Sequence, residues 1–187
     1  MIFILTGVFT LRNFVHDASK TELLSEVSID KEKPLEVDIR SVRSTRSARI
    51  QFGPATYLTN GKFYNGEDID VFFEPIEADQ PVKITKTTYS RGMNHKSALH
   101  NMDYPRHQVE LSENHLDIDE LYEIGKRDKY RVQKLRYDIA VPVGTTMAFK
   151  VPSSLFFKRE LRKWGVQDQI WIMTENGLEL TEEAQES

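Results

Sequence analysis

Four of the five histidines lie close together in the middle of the chain, where their rings could bind a metal ion or transfer protons. They are His95, His100, His107 and His115. Zinc ligands on a helix are spaced i, i+3 or i+4, whereas the nearest pair here is at i, i+5. Asp103 or Glu110 could add a carboxylate, yet nearby basic residues would repel a divalent cation: Arg91, Lys96 and Arg106. The pattern favours a polar binding or assembly loop, with a metal-dependent hydrolase as the second alternative.

A run of arginines is the next candidate for chemistry. Arg40, Arg43, Arg46 and Arg49 recur at every third position of RSVRSTRSAR. Guanidinium groups form forked hydrogen bonds with phosphate or carboxylate groups. A period of three alternates between the two faces of a strand, whereas an irregular extended arm could present all four together. We interpret the run as a contact for phosphate or for an acidic partner patch. A solvated edge strand protected by arginines is the alternative.

A second basic surface is predicted on a helix near the C-terminus. The segment SSLFFKRELRKWG follows Pro152, begins with serine caps and ends at Gly165, which are typical helix boundaries. Its apolar residues would lie on or near one face, and its basic residues would lie opposite: Lys158, Arg159, Arg162 and Lys163. This face could contact a nucleic-acid backbone or an acidic protein patch, and a solvated helix face is the simpler interpretation.

Charge is sorted into blocks along the chain, although the net charge is only −4. Residues 40–66 carry five basic and no acidic residues, and residues 67–82 carry six acidic and no basic residues. Complementary blocks could meet on different copies of the chain. We therefore expect a non-enzymatic, self-associating structural protein, such as a virion or bacteriophage component, that forms a homo-oligomer or larger assembly. Nucleic-acid binding is the alternative, and no cofactor or membrane partner is expected.

Composition excludes several function classes. The 187 residues are 39% hydrophobic, enough for a buried core, and they include no cysteine. Disulfides, thiolate nucleophiles and cysteine-containing metal sites are therefore excluded. The N-terminal run MIFILTGVFTLRNFV has no preceding basic residue and is too short to span a bilayer. We expect a cytoplasmic or virion protein that no signal peptide directs to secretion.

The elements that must position these residues are mainly strands. Alternating segments and Asn-Gly turns fill the first ninety residues, and further strands are predicted at 130–141 and 146–151. Residues 89–115 are predicted to be a long irregular loop, 117–124 a short helix, 153–164 a longer helix and 170–180 a hairpin. The expected fold is α+β, mainly antiparallel β, with a sandwich or barrel-like body and two short helices in the C-terminal half. Residues 1–187 would form a single domain, with 146–187 as a strand–helix–hairpin unit that ends in an acidic tail.

The order of elements from Met147 to Leu180 is similar to the AbrB-type swapped-hairpin DNA-binding module. The features that carry this likeness are Val151-Pro152 at a strand end, Leu161 to Val166 at a helix end, and Gly177 to Leu180 in the hairpin. Twelve residues separate Pro152 from Gly165, more than in the family pattern, and Gln167-Asp168 replaces its Gly-Asp step. The resemblance implies DNA binding, which stays an alternative function.

Overall fold

The computed structural model describes residues 15–40, 49–53, 56–59, 62–125, 132–150 and 169–181, and they form fourteen strands and one helix. The strands are β1 (His16–Val27), β2 (Leu35–Arg40), β3 (Arg49–Gly53), β4 (Thr56–Thr59), β5 (Lys62–Asn65), β6 (Ile69–Ile76), β7 (Val82–Gly92), β8 (Val109–Ser112), β9 (His115–Asp119), β10 (Tyr122–Ile124), β11 (Lys134–Pro142), β12 (Thr146–Lys150), β13 (Ile170–Thr174) and β14 (Gly177–Leu180); the helix is α1 (His95–Asn101).

Three sheets organise these strands. Their orders are β1-β7-β11-β6, β14-β13-β12-β2-β9-β8 and β10-β5-β4-β3. Most neighbours are antiparallel, but β6 with β11, β12 with β2, and β2 with β9 are parallel. The predicted β-rich, mainly antiparallel body is therefore confirmed, whereas the three parallel pairs were not predicted. Parallel neighbours join segments far apart in the chain, which local turn signals could not indicate.

The four-stranded sheet that begins with β1 and the six-stranded sheet share one core. Strand β2 alternates strictly, so that Leu35, Val37 and Ile39 are buried while the residues between them face outward. Phe73 of β6 packs edge-on against Phe149 of β12, with ring centroids 5.5 Å apart. Burying each of the aliphatic side chains Leu35, Val37 and Ile39 contributes about 1.5–3 kcal/mol to folding. Strand β2, in the middle of its sheet, is therefore a principal source of stability.

Helix α1 interrupts the segment 89–115 that was predicted to be an irregular loop. Asn94 and Ser97 form a reciprocal capping box, which satisfies backbone donors in the first turn. The Ser90 hydroxyl donates to the carbonyl oxygen of Ala98 at 2.7 Å and ties the helix to β7. Strand β8 follows within the same segment. No helix in the described ranges is long and apolar enough to cross a membrane.

The helix predicted at 117–124 is wrong, because β9 and β10 occupy this part of the chain. Leu116 and Ile118 alternate with acidic residues at a period of two, and both are fully buried. Asp117 therefore faces outward from a strand instead of capping a helix. The helix predicted at 153–164 lies outside the described residues. The C-terminal hairpin is confirmed: β13 pairs with β14, and Glu175 and Asn176 connect them.

Candidate functional site

One outer face of the six-stranded sheet concentrates charged side chains, and we name it the acidic face. It consists of five carboxylates on β2, β8 and β9, together with three basic or titratable neighbours: Glu36, Asp38, Glu110, Asp117 and Asp119, with Arg40, His115 and Lys150. The strand alternation that buries Leu35, Val37 and Ile39 turns the intervening polar residues outward. The register places Asp38 directly opposite Asp117. Like charges in this position destabilise a sheet unless a cation lies between them.

Arg40, the first residue of the arginine run, forms ion pairs within its own chain. Its Nε atom lies 3.2 Å from Asp119 Oδ1. Its Nη1 atom lies 3.7 Å from Glu110 Oε2 and 3.9 Å from Asp117 Oδ2. The guanidinium group therefore bridges acidic residues of β8 and β9. The predicted contact of Arg40 with phosphate or a partner would have to displace these interactions.

The other predicted basic residues lie at the start of β3 or outside the described ranges. Arg49 begins β3, where the backbone is described. Six of the predicted residues lie outside the described ranges: Arg43, Arg46, Lys158, Arg159, Arg162 and Lys163. Their role in binding stays a prediction.

His115 lies between two carboxylates of the acidic face. Its Nε2 atom is 3.3 Å from Asp117 Oδ1, and its Nδ1 atom is 3.6 Å from Glu36 Oε2. Lys150 holds Glu36 at 2.5 Å, and this hydrogen bond lowers the pKa of the Glu36 carboxyl. Asp38, His115 and Asp117 each provide one potential metal-ligand atom, and these three atoms lie within 4.8 Å of one another. All three residues are half-buried, so the group is held in the sheet and still open to solvent.

His107 lies in a different environment, between the six-stranded sheet and the four-stranded sheet that contains β11. Its Nδ1 atom is 2.8 Å from the Tyr137 hydroxyl, and its Nε2 atom is 2.7 Å from the carbonyl oxygen of Asp119. Burial lowers the pKa of His107 to about 4, and the nearby charges of Lys86 and Arg40 add to this effect. Burial raises the pKa of Tyr137. Both groups are therefore neutral at pH 7, in a structural hydrogen-bonded link.

The predicted histidine cluster is thus distributed over separate sites. His95 begins helix α1, and His100 near the helix end lies 3.9 Å from Asp103. Within the described part of the chain, the one group of three potential metal ligands contains only His115 from the four histidines. The four histidines therefore do not form one cluster, and the metal-dependent hydrolase stays a prediction. Sequence reasoning missed Asp38. The alternation in LEVDIR could have indicated it, because Asp38 is one of the polar residues that alternate with the buried ones and face outward.

Basic and acidic segments meet within this chain. Besides the Arg40 and Lys150 pairs, neighbouring strands join Lys62 with Glu123, Lys83 with Glu26, Lys86 with Glu22, Arg91 with Asp17, and Lys134 with Asp70. Each pair links residues from different segments because strand pairing brings distant segments side by side. The prediction that these charges meet their opposites on another copy is wrong for the pairs described.

Strand β1 forms the edge of its sheet. Its first eight residues, His16–Leu23, pair with β7 in unbroken register, and a bulge follows between Leu23 and Ser25. Within the described ranges β1 pairs with β7 and no other strand. Leu23 and Leu24 are 57% and 40% exposed. We name His16–Leu24 the β1 edge, since it combines an open strand edge with exposed apolar side chains.

Comparisons with known proteins identify the family. A family model described as "ToastRack found in some PspC" matches residues 58–186, about two-thirds of the chain. Neither a curated protein nor a solved structure gives a significant match. The family match contradicts the predicted virion or bacteriophage component, and it supports neither DNA binding nor the AbrB-type resemblance, whose segment it includes. The chain belongs to the toast-rack family found in the C-terminal part of some PspC proteins.

Proposed function

We propose that the chain is a non-catalytic protein-interaction domain that acts in a membrane-stress response. The match of residues 58–186 to the toast-rack family of PspC is the observation that carries this proposal. Toast-rack domains often mediate protein–protein interactions. The structural role of His107, whose two ring nitrogens are both engaged, also favours binding over catalysis.

The β1 edge is the surface that fits a protein partner best. Strand β1 is 12 residues long, whereas strands of about 5–6 residues are most common. A long open edge presents backbone donors and acceptors to another chain, and natural proteins usually shorten or cover such edges. The exposed side chains of Leu23 and Leu24 add apolar area at one end. An extended segment of a partner protein could therefore pair with His16–Leu23 and cover the two leucines.

A genetic experiment tests the function. In cells of the source organism, deletion of this chain should slow the recovery of membrane potential after a brief ionophore treatment. Wild-type chain should restore recovery, whereas Leu23→Asp/Leu24→Asp should not, because charges at these positions would not fit an apolar contact. Far-UV circular dichroism of the purified variant should match that of the wild type, since both side chains are largely exposed.

Ile170→Asp is the matched control. Ile170 is 45% exposed on β13, so this change also places an acid at an exposed aliphatic residue, but in the six-stranded sheet and not in the sheet of β1. It should restore recovery as the wild type does. Normal recovery in the deletion strain would contradict the membrane-stress role. Full restoration by the β1-edge variant would contradict the binding surface and leave the stress role standing.

A further inference from the structure

We propose that Asp38, His115 and Asp117 bind a divalent transition-metal ion on the acidic face, with Zn²⁺ as the ion to test. The site is independent of the proposed partner surface, because β2 and β9 lie in the six-stranded sheet and β1 in the other. It is a structural or regulatory site, with two strands held together by one ion.

The strand register brings the three ligands together. Asp38 and Asp117 are direct cross-strand partners in the parallel pair of β2 and β9. His115 is two residues before Asp117, so it lies on the same face of β9. Three ligand atoms lie within 4.8 Å of one another. Metal–ligand bonds of about 2.0–2.2 Å place ligand atoms roughly 3.3 Å apart. Side-chain rotations that move these atoms by about 1 Å would therefore bring all three within bonding distance of one ion.

The surroundings of His115 resemble those of a metal ligand. Its Nε2 atom is on the side of Asp117, and its Nδ1 atom is 3.6 Å from the Glu36 carboxylate. Histidines that bind metals through one nitrogen usually donate the other N–H to a carboxylate or carbonyl, which fixes the ring. Lys150 in turn holds Glu36 at 2.5 Å. Glu36 is thus already placed to orient the ring, while Nε2 stays available for an ion.

Electrostatics also favours a cation at this position. Among the described residues Asp38 has no hydrogen bond or ion pair, although it faces the carboxylate of Asp117. Arg40 lies closer to Asp119, at 3.2 Å, than to Asp117, at 3.9 Å. Lys150 is the neighbour of Asp38 on β12 and also attracts it, but its ammonium group is bound to Glu36, so part of the repulsion between Asp38 and Asp117 remains. A divalent ion between the two carboxylates would remove it.

The ligand set selects the class of ion. One imidazole nitrogen with carboxylate oxygens suits Zn²⁺, Co²⁺ or Ni²⁺, whereas Ca²⁺ and Mg²⁺ prefer oxygen ligands alone. Three protein ligands on an open sheet face leave at least one coordination position to water.

Titration calorimetry of the chelator-treated full chain with Zn²⁺ tests the site. We expect one ion per chain with micromolar affinity, a higher melting temperature, and visible absorption bands of tetrahedral coordination when Co²⁺ replaces Zn²⁺. Asp38→Asn and His115→Gln should each weaken Zn²⁺ binding at least tenfold and remove the Co²⁺ bands. Asp38→Asn should also raise the melting temperature of the metal-free protein, because it removes a like charge opposite Asp117. A ligand variant that is merely damaged would not show this rise.

His100→Gln is the matched control. His100 also lies near a carboxylate, at 3.9 Å from Asp103, but it belongs to no group of three potential ligands among the residues that the structure describes. This variant should bind Zn²⁺ as the wild type does. The proposal is overturned if the folded wild type binds no Zn²⁺ at millimolar concentration. It is equally overturned if Asp38→Asn and His115→Gln bind Zn²⁺ with wild-type affinity, or if His100→Gln alone loses it.

Discussion

The hydroxyl group of Tyr137 donates a hydrogen bond to Nδ1 of His107 across 2.8 Å and links β11 to the segment that precedes β8. The carbonyl oxygen of Asp119 can only accept, so the proton of the neutral ring must be on Nε2. Nδ1 is then the acceptor for Tyr137. One tautomer of a neutral imidazole therefore connects the two large sheets, and a second proton on the ring would remove the acceptor.

The first prediction concerns the stability of the protein between pH 7 and pH 4. The pKa of His107 is about 4 in the folded protein, below the ordinary value of 6.5 expected after unfolding. Between these values the unfolded chain binds more protons, so the free energy of unfolding falls as the pH falls. The contribution of His107 is complete above pH 6.5, and up to about 3 kcal/mol of it is lost by pH 4. Urea denaturation at a series of pH values measures this loss.

His107→Gln isolates the histidine from other titrating groups. A glutamine amide could still donate to the Asp119 carbonyl and accept from Tyr137, but it does not titrate. Asp119, whose pKa is raised by burial, titrates in both proteins and cancels in the difference. The variant should therefore show a weaker dependence on pH. Parallel curves for the two proteins would refute the assignment.

A second prediction concerns Gly92, at the end of β7. A Cβ atom at this position would be 2.4 Å from the backbone nitrogen of Ala98 in helix α1, closer than side-chain carbons approach such atoms. Gly92→Ala should therefore displace the helix and destabilise the protein by about 1–3 kcal/mol. Leu99→Ala changes an exposed residue of the same helix and should have a much smaller effect. Thermal unfolding of both variants decides, and equal melting temperatures would contradict the close contact.

A third prediction concerns Arg40. Replacing it with glutamine leaves the partly buried Asp119 without its cation, and the pKa of Asp119, already raised by burial, should rise further. At pH 7 the cost should be about 1–2 kcal/mol. It should shrink towards pH 4.5 as the carboxylates gain protons. Lys33→Gln, which removes a largely exposed partner of Asp30, should have little effect at either pH. Urea denaturation gives all four values.

Short-range patterns in the sequence predicted most of the strands. The alternation and the Asn-Gly dipeptides predicted strands at 35–42, 56–59 and 68–74, close to β2, β4 and β6. Asp117 with Glu120 imitates a capping box and led to the wrong helix at 117–124. Two buried side chains, Leu116 and Ile118, contribute more to stability than one cap, so the strand is formed. Strand β1 was missed because its alternation is weak and most of its residues are exposed.

Most of the acidic face could not be predicted. Asp38 is 79 positions from Asp117, and only the parallel pairing of β2 with β9 makes them neighbours. The same pairing places Arg40 beside Asp119, which neutralises part of a charge block that seemed to require another copy of the chain. Parallel pairing of this kind depends on the complete sheet. The spacing of these residues along the sequence did not indicate that β2 and β9 are neighbours.

The final prediction concerns the boundary of the folding unit. The family match begins at residue 58, but β2 lies between β9 and β12 in the six-stranded sheet. Without β2 the sheet divides and the core loses Leu35, Val37 and Ile39, which together contribute about 5–9 kcal/mol. This loss is comparable to the total stability of an ordinary domain, about 5–15 kcal/mol. A fragment of residues 58–187 should therefore fail to fold, although it includes the complete match.

A fragment of residues 28–187 is the control for this boundary. It lacks the edge strand β1 but keeps β2, so both large sheets retain their central strands. Near-UV circular dichroism and urea denaturation should show a folded protein of reduced stability for 28–187 and no cooperative unfolding for 58–187. Cooperative unfolding of the shorter fragment would mean that the matched region folds alone and that β2 only covers it.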